Sequence, residues 1–322
     1  MFFSGHSLLD NPLPDWVELI AQSRGASLGW EQQIVLGSPI RVRTKGDDPE
    51  ASGWPGYRLG KSKSGGGIDV LGELGNPTAL AQGEKYERLL ITERNDFIGA
   101  IKWEDTAGYL RDFHARLVSR DSKNASTLLY QCWPDIDKAE PGAWIRYVRD
   151  EWFAWQCVAA KVNHSLKASG QRPGVSVVPG GVALAELVER ALAGGVPGLV
   201  GSPRQRLDRI FSDDVHLTPV GIYLISALHY GALFGESPLG AAGPREVPEE
   251  LVPLLQRLAW ETLTKQAPEI ARPPSLAECR KRIATELCPA YYRRRGKPDE
   301  AAACGFWASA ESPLSDASAT AK

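Results

Sequence analysis

The chain has 322 residues, 43% hydrophobic and 24% charged, with a formal net charge of −2 and a pI near 6.3. Those values exclude a collagen-like, coiled-coil or wholly disordered chain, and they offer no global positive field to nucleic acid. No run approaches the roughly 18 consecutive apolar residues that a membrane-crossing helix needs, so no membrane span is expected.

In chain order, short apolar runs alternate with helical patterns, as in βαβ units built around a mostly parallel sheet. Phe2 to Ser4 reads as a short first strand, followed by a helix over about Pro14–Arg24 with Trp16, Val17, Leu19 and Ile20 on one face. Gln33–Leu36, Leu89–Thr92, Thr127–Gln131 and Val175–Val178 read as strands two to five. Helices are expected at about 105–120, 143–168 and 182–194, with another beginning near Pro219. Between strands two and three, residues 40–85 are rich in Gly, Ser, Asp and Pro and read as a long loop insertion. After about residue 237 the alternation stops, and Leu251–Thr264 and Leu276–Leu287 are helical. Three units are therefore expected: an α/β unit over 1–237, a helical C-terminal extension over 238–307, and a disordered tail over 308–322.

Five Cys, at 132, 157, 279, 288 and 304, leave at least one outside any intrachain disulfide. Cys279, Cys288 and Cys304 can supply one bridge in an oxidising compartment; buried or idle thiols are an equal alternative. Their spacing suits no zinc site, and HExxH and the glycine-rich phosphate-binding motifs are missing, so neither metal nor cofactor is expected. Met1-Phe2-Phe3 enters strand-like sequence without a basic or apolar leader. As it stands the chain reads as cytoplasmic. A first strand this close to its start favours a missing lead, which keeps a periplasmic or secreted location open.

A nucleophilic serine needs a sharp strand-to-helix turn, a histidine to take its proton and an acid to orient that histidine. Gly5-His6-Ser7-Leu8 supplies the first, just past the opening strand. Asp213-Asp214-Val215-His216 supplies the other two, with the acid about one helical turn from the imidazole. Alone, Ser7 reads first as a helix cap, and only the distant His216 reverses that; Asn95 alone reads equally as a turn residue. Together with Gly37 after strand two and Glu93-Arg94-Asn95-Asp96 after strand three, these blocks resemble the SGNH (GDSL-like) hydrolase superfamily over roughly residues 1–235. Two positions depart from its pattern: His6 stands where the family usually has Asp, and Glu93 where it usually has Gly.

The resemblance implies a three-layer α/β/α, flavodoxin-like fold with a mostly parallel five-stranded sheet. It also implies a metal-independent esterase that works through an acyl-enzyme. By it, Ser7 is the nucleophile, His216 the general base and then acid, and Asp213 the orienting carboxylate. The backbone N–H groups of Ser7 and Gly37 and the side-chain amide of Asn95 form the oxyanion hole. His6, Arg94 and Trp133 are candidate substrate contacts, and Trp54 and Trp103 lie in or near loops on that side. The expected substrate is a small acyl or acetyl ester, on a small molecule or a carbohydrate. An O-acyltransferase or a noncatalytic SGNH-like binding protein are the alternatives. Trp152 and Trp155, three apart on one helix, read as core, and Arg293-Arg294-Arg295 as a solvated face.

Overall fold

Strands of a parallel sheet covered on both faces need apolar side chains in both directions. Phe2 and Phe3 of the first strand and Leu89, Leu90 and Ile91 of the third meet that demand, all fully buried. The computed structural model describes residues 1–44, 55–119 and 125–315. Its strands are β1 (Phe2–Gly5), β2 (Glu31–Ile34), β3 (Arg88–Thr92), β4 (Ser126–Tyr130) and β5 (Val175–Val178). They form one all-parallel sheet in the order β2-β1-β3-β4-β5. Gly5 pairs with Ile34, Ser4 with Ile91 and Thr92 with Tyr130, so β1, β2 and β3 end side by side.

The helices of the α/β part are α1 (Leu13–Ser23), α2 (Ile40–Thr44), α3 (Val70–Gly75), α4 (Phe97–Trp103), α5 (Thr106–Val118) and α6 (Pro141–Ala168). They continue with α7 (Gly180–Leu192), α8 (Pro203–Leu207) and α9 (Pro219–Phe234). Helix α1 packs with α9, and α5 packs with α2 and α6. Phe2 meets Phe113 of α5, while Phe3, pointing to the other face, meets Trp30. Trp152 and Trp155 are core, the latter stacked on Phe97.

Several sequence expectations are corrected here. Strand β2 runs two residues earlier than the apolar run Ile34-Val35-Leu36 suggested, and Leu36 is 72% exposed. Gln32 and Gln33 are buried instead, because their amides bond Asn11 and Ser62, and Arg43, Gly56 and Leu59. The helix expected over 105–120 is preceded by a separate α4. Asp105, with φ 46°, breaks the chain between the two and caps α5 at Gly108. Residues 40–85 contain α2, a 3-10 turn at Gly56–Arg58 and α3, and Lys61 bridges to Ile34 at the sheet edge. The described part of the segment is thus joined to the sheet edge through Lys61; Trp54 lies outside the described residues.

The C-terminal part consists of α10 (Val252–Ala271), α11 (Leu276–Arg282), a π-helical stretch (Ile283–Leu287), α12 (Cys288–Arg294) and a 3-10 stretch (Pro298–Ala308). It shares the core of the α/β part: Leu255, Leu258, Cys279, Ile283 and Trp307 belong to one buried cluster with the strands. Two disulfides form, Cys157–Cys279 and Cys288–Cys304, and Cys132 stays reduced and buried. Cys157, 122 residues from its partner, was not among the three cysteines expected to bridge. The tail is packed as far as residue 315: Leu314 is buried and Lys161 Nζ donates to the Ser315 carbonyl at 2.6 Å. No helix among the described residues is long and apolar enough to cross a membrane.

Candidate active site

In open α/β sheets ligands gather beyond the carboxyl ends of the strands, where the chain order reverses. Here that place lies between β1 and β3, and the loops after β1, β2 and β3 carry Ser7, Gly37 and Asn95. The turn after β1 is sharp because residue 5 has no side chain. A Cβ at Gly5 would sit 2.7 Å from the Leu9 Cβ, so only glycine lets Leu9 fold back on the strand end. Leu9 N donates to the His6 carbonyl at 2.8 Å, closing the turn around Ser7. Gly37 has φ 64° in the turn that Ser38 N closes onto the Val35 carbonyl at 3.2 Å, a position that favours glycine.

Asp213 and His216 come from the loop before α9. Phe211 and Leu217 bridge across its base, and Ser212 N donates to the His216 carbonyl at 2.9 Å. Asp213 Oδ1 accepts from the backbone N–H of Val215 at 2.7 Å and of His216 at 2.6 Å. Its Oδ2 accepts from His216 Nδ1 at 2.6 Å, leaving His216 Nε2 to accept the Ser7 hydroxyl at 2.9 Å. A carboxylate on Nδ1 selects the tautomer whose Nε2 lone pair faces the serine. Partial burial pushes the Asp213 carboxyl up, but the His216 and Val215 N–H bonds and the imidazole outweigh it and hold the pKa at about 2. Asp213 is therefore charged whenever His216 has to bear a proton. Asp214 plays a different part: its carbonyl accepts from Ile136 N at 2.7 Å.

Asn95 Nδ2 donates to Asp135 Oδ1 at 3.2 Å, which orients the amide and leaves its second N–H for another acceptor. Glu93 is buried and turned inward, where its carboxylate accepts from Ile40 N, Arg94 N and Thr106 Oγ1. Burial raises its pKa, opposed by the nearby Arg43 guanidinium and by these three bonds.

Two of the candidate substrate contacts are corrected. His6 is buried: its Nε2–H donates to the Glu93 carbonyl at 3.0 Å, and its Nδ1 accepts from Leu8 N at 3.4 Å. Burial first, and Arg43 second, lower its pKa to about 4, so it stays neutral beside Ser7. Trp133 is also buried, and its indole N–H donates to the Val215 carbonyl at 2.8 Å, anchoring the loop that carries Asp213 and His216. Arg94 is half-buried near Asp96 and Glu104. Trp103 stands 71% exposed at the end of α4. The Arg293–Arg295 run is not simply solvated, since Arg294 donates to the Asp135 carbonyl and Arg295 pairs with Asp96 at 3.1 Å.

The sequence reading missed Arg43 and Asp135. Asp135 carried a usable signal, because it follows β4 on the edge that bears the site. Arg43 carried none, its partners being Ser4, Ser38 and Thr92 from separate segments. Beside the site lies a groove of about 880 Å³ that includes Asp135 and Asp214, with Arg146, Asp150, Arg204 and Arg293 on its walls. No group of metal-ligating side chains is present among the described residues.

No family model and no curated protein matches the chain. A solved structure of a DUF4886 family protein from Bacteroides uniformis aligns with a TM-score of 0.53 at 13% identity. The alignment covers 82% of this chain and 93% of that one. At this identity the likeness concerns the fold alone: an α/β architecture shared over most of both chains.

Proposed function

We propose that the chain is a serine esterase of the SGNH type, built on that superfamily's three-layer, flavodoxin-like α/β/α fold. The observation that carries this reading is the unbroken relay from Asp213 through His216 to Ser7, with links of 2.6 and 2.9 Å. Its three members come from two loops more than 200 residues apart, which a surface coincidence does not explain.

In the reaction, Ser7 Oγ attacks the ester carbonyl carbon while its proton passes to His216 Nε2. The carbonyl oxygen becomes an oxyanion and meets the N–H groups of Ser7, Gly37 and Asn95. The carbon–oxygen bond to the leaving alcohol then breaks, and His216 returns the proton to that alcohol. Water attacks the acyl-enzyme with His216 again as base, and collapse of the second intermediate releases the acid and frees Ser7. Asp213 keeps its charge throughout and stabilises the imidazolium.

The adjoining groove mixes guanidinium groups and carboxylates. Ile136, Trp144 and Tyr147 add apolar and aromatic surface to the same groove, and aromatic faces beside hydrogen-bonding groups suit a sugar ring carrying a small acyl group at Ser7. A short-chain nitrophenyl ester assay tests the reading, with Ser7→Ala and His216→Ala as comparisons. Turnover is expected in the wild type only. Equal turnover in all three proteins would overturn it, and acetyl transfer to an added oligosaccharide outpacing release to water would favour the acyltransferase.

A further inference from the structure

His6 and Glu93, the two departures from the SGNH pattern, touch each other. His6 Nε2 donates to the Glu93 carbonyl at 3.0 Å, and that carbonyl also accepts from Cys132 Sγ at 3.2 Å. From this point the Glu93 carboxylate reaches two other turns. Its Oε1 accepts from Ile40 N at 3.1 Å, three residues beyond Gly37, and from Arg94 N at 2.7 Å, directly before Asn95. Its Oε2 accepts from Thr106 Oγ1 at 2.8 Å.

Arg43, fully buried, grips the same three places. Its Nε donates to Ser4 Oγ on β1 at 3.1 Å. One terminal nitrogen donates to the Ser38 carbonyl at 2.8 Å and hydroxyl at 2.7 Å, directly after Gly37. The other donates to the Thr92 carbonyl at the end of β3. A buried carboxyl or guanidinium is costly unless every lone pair and N–H finds a partner, and these groups find theirs in the backbone of the turns and in the hydroxyls of Ser4, Ser38 and Thr106.

We infer that His6, Glu93 and Arg43 act as one buried positioning unit that locks the turns carrying Ser7, Gly37 and Asn95 into a common oxyanion-binding geometry. The inference rests on the esterase reading above and assigns these residues no contact with substrate. It explains why a carboxyl group is tolerated beside an oxyanion site: its oxygens are taken up by Ile40 N, Arg94 N and Thr106 Oγ1 rather than facing the reacting oxygen. It also makes the two departures one feature, because His6 supplies the N–H that the Glu93 carbonyl receives. Without this unit the three donors would sit on independent loops, and a shift of about 1 Å in any donor is enough to cost much of its effect.

The test uses Glu93→Gln and His6→Leu, with His6→Gln as the conservative variant whose amide N–H can still reach the Glu93 carbonyl. For Glu93→Gln and His6→Leu, kcat on a short-chain ester is expected to fall about 10- to 100-fold, with KM within about twofold of the wild type. Affinity for an alkylboronic acid, whose trigonal boron accepts Ser7 Oγ and becomes a tetrahedral adduct, should fall in parallel. His6→Gln should recover most of both. His114→Gln, a buried histidine at the opposite end of the sheet, is the control for general destabilisation; it should lower the melting temperature and leave kcat and boronate affinity alone.

Folded Glu93→Gln and His6→Leu proteins with wild-type kcat and boronate affinity would overturn the inference. If Glu93→Gln does not fold, the His6→Leu and His6→Gln pair decides it. Ser7→Ala separates this failure from that of the esterase reading. If Ser7→Ala turns over substrate like the wild type, the esterase reading itself has failed. If Ser7→Ala is inactive while Glu93→Gln and His6→Leu are unimpaired, the positioning unit alone is refuted.

Discussion

The two arms of the proposed esterase site, one for acid–base chemistry and one for the oxyanion, are built in opposite ways. The acid–base arm lies on the surface: the side chains of His216 and Asp213 are 44% and 55% exposed, on a loop held by short backbone bonds and one indole N–H. The oxyanion arm is held from within, by His6, Glu93 and Arg43, none more than 3% exposed. The difference follows from the chemistry each arm performs. The imidazole must exchange protons with substrate and water, which needs access. Donors that stabilise a developing charge need fixed positions, and buried, fully bonded charges fix them. Disturbing the first arm should therefore affect proton transfer with little loss of stability, whereas disturbing the second should alter the affinity for tetrahedral species.

The largest effect is expected on the exposed arm. His216→Ala should lower kcat at least about 1,000-fold, since the serine loses its base and the leaving group its acid, while the melting temperature barely moves. Next comes Asn95→Ala, which removes one oxyanion donor and should lower kcat about 100- to 1,000-fold with KM nearly unchanged. If KM rose instead, Asn95 would be a substrate-binding group rather than an oxyanion donor.

Trp133→Phe keeps the ring in its buried slot and deletes the indole N–H bonded to Val215, so the acid–base loop loses one anchor. A drop of about tenfold in kcat is expected, with unaltered boronate affinity, because the oxyanion arm is untouched. Equal losses in both would show that the arms are not independent.

The smallest effect is one of stability. His229 is fully buried against Tyr130 with neither ring nitrogen bonded, and burial lowers its pKa to about 3. Burial likewise lowers His6 and His114 to about 4 each. All three folded values lie below that of an unfolded histidine. The unfolded chain therefore binds more protons as pH falls, and the stability present above about pH 6.5 drains away toward pH 4. Glu151 opposes this: burial raises its pKa to about 7, so its contribution is lost as pH rises from about 4.5 to 7. His229→Phe should gain about 1 kcal/mol at neutral pH and flatten the acid decline by up to one proton, as read by thermal melts at pH 4, 5 and 7. An unchanged slope would mean that His229 is not neutral in the fold.

How much of this could be read from the sequence differed between the arms. Ser7, Asp213 and His216 could be singled out because each is tied to a strand end or to a fixed local spacing, and the structure brings these three side chains together. The five strands were legible from apolar runs bounded by turns. Strand β2 was displaced because its buried glutamines are satisfied by partners such as Arg43 and Gly56, which local pattern cannot reveal. Local pattern is equally silent on Glu93, since nothing near it in sequence indicates that its carboxyl turns toward Ile40 and Thr106. Cys157–Cys279 and the reach of Arg294 and Arg295 to the rim of the site are long-range closures that residue spacing does not encode.

The most direct test is the chemistry of Ser7 itself. The wild type is incubated with an alkyl fluorophosphonate, in which an activated serine oxygen displaces fluoride from phosphorus, and the modified peptide is mapped by mass spectrometry. The expected result is one adduct, on Ser7, whose formation slows sharply in His216→Ala and is absent in Ser7→Ala. An unmodified Ser7 at neutral pH, or labelling that proceeds equally in His216→Ala, would contradict the Asp213–His216–Ser7 assignment.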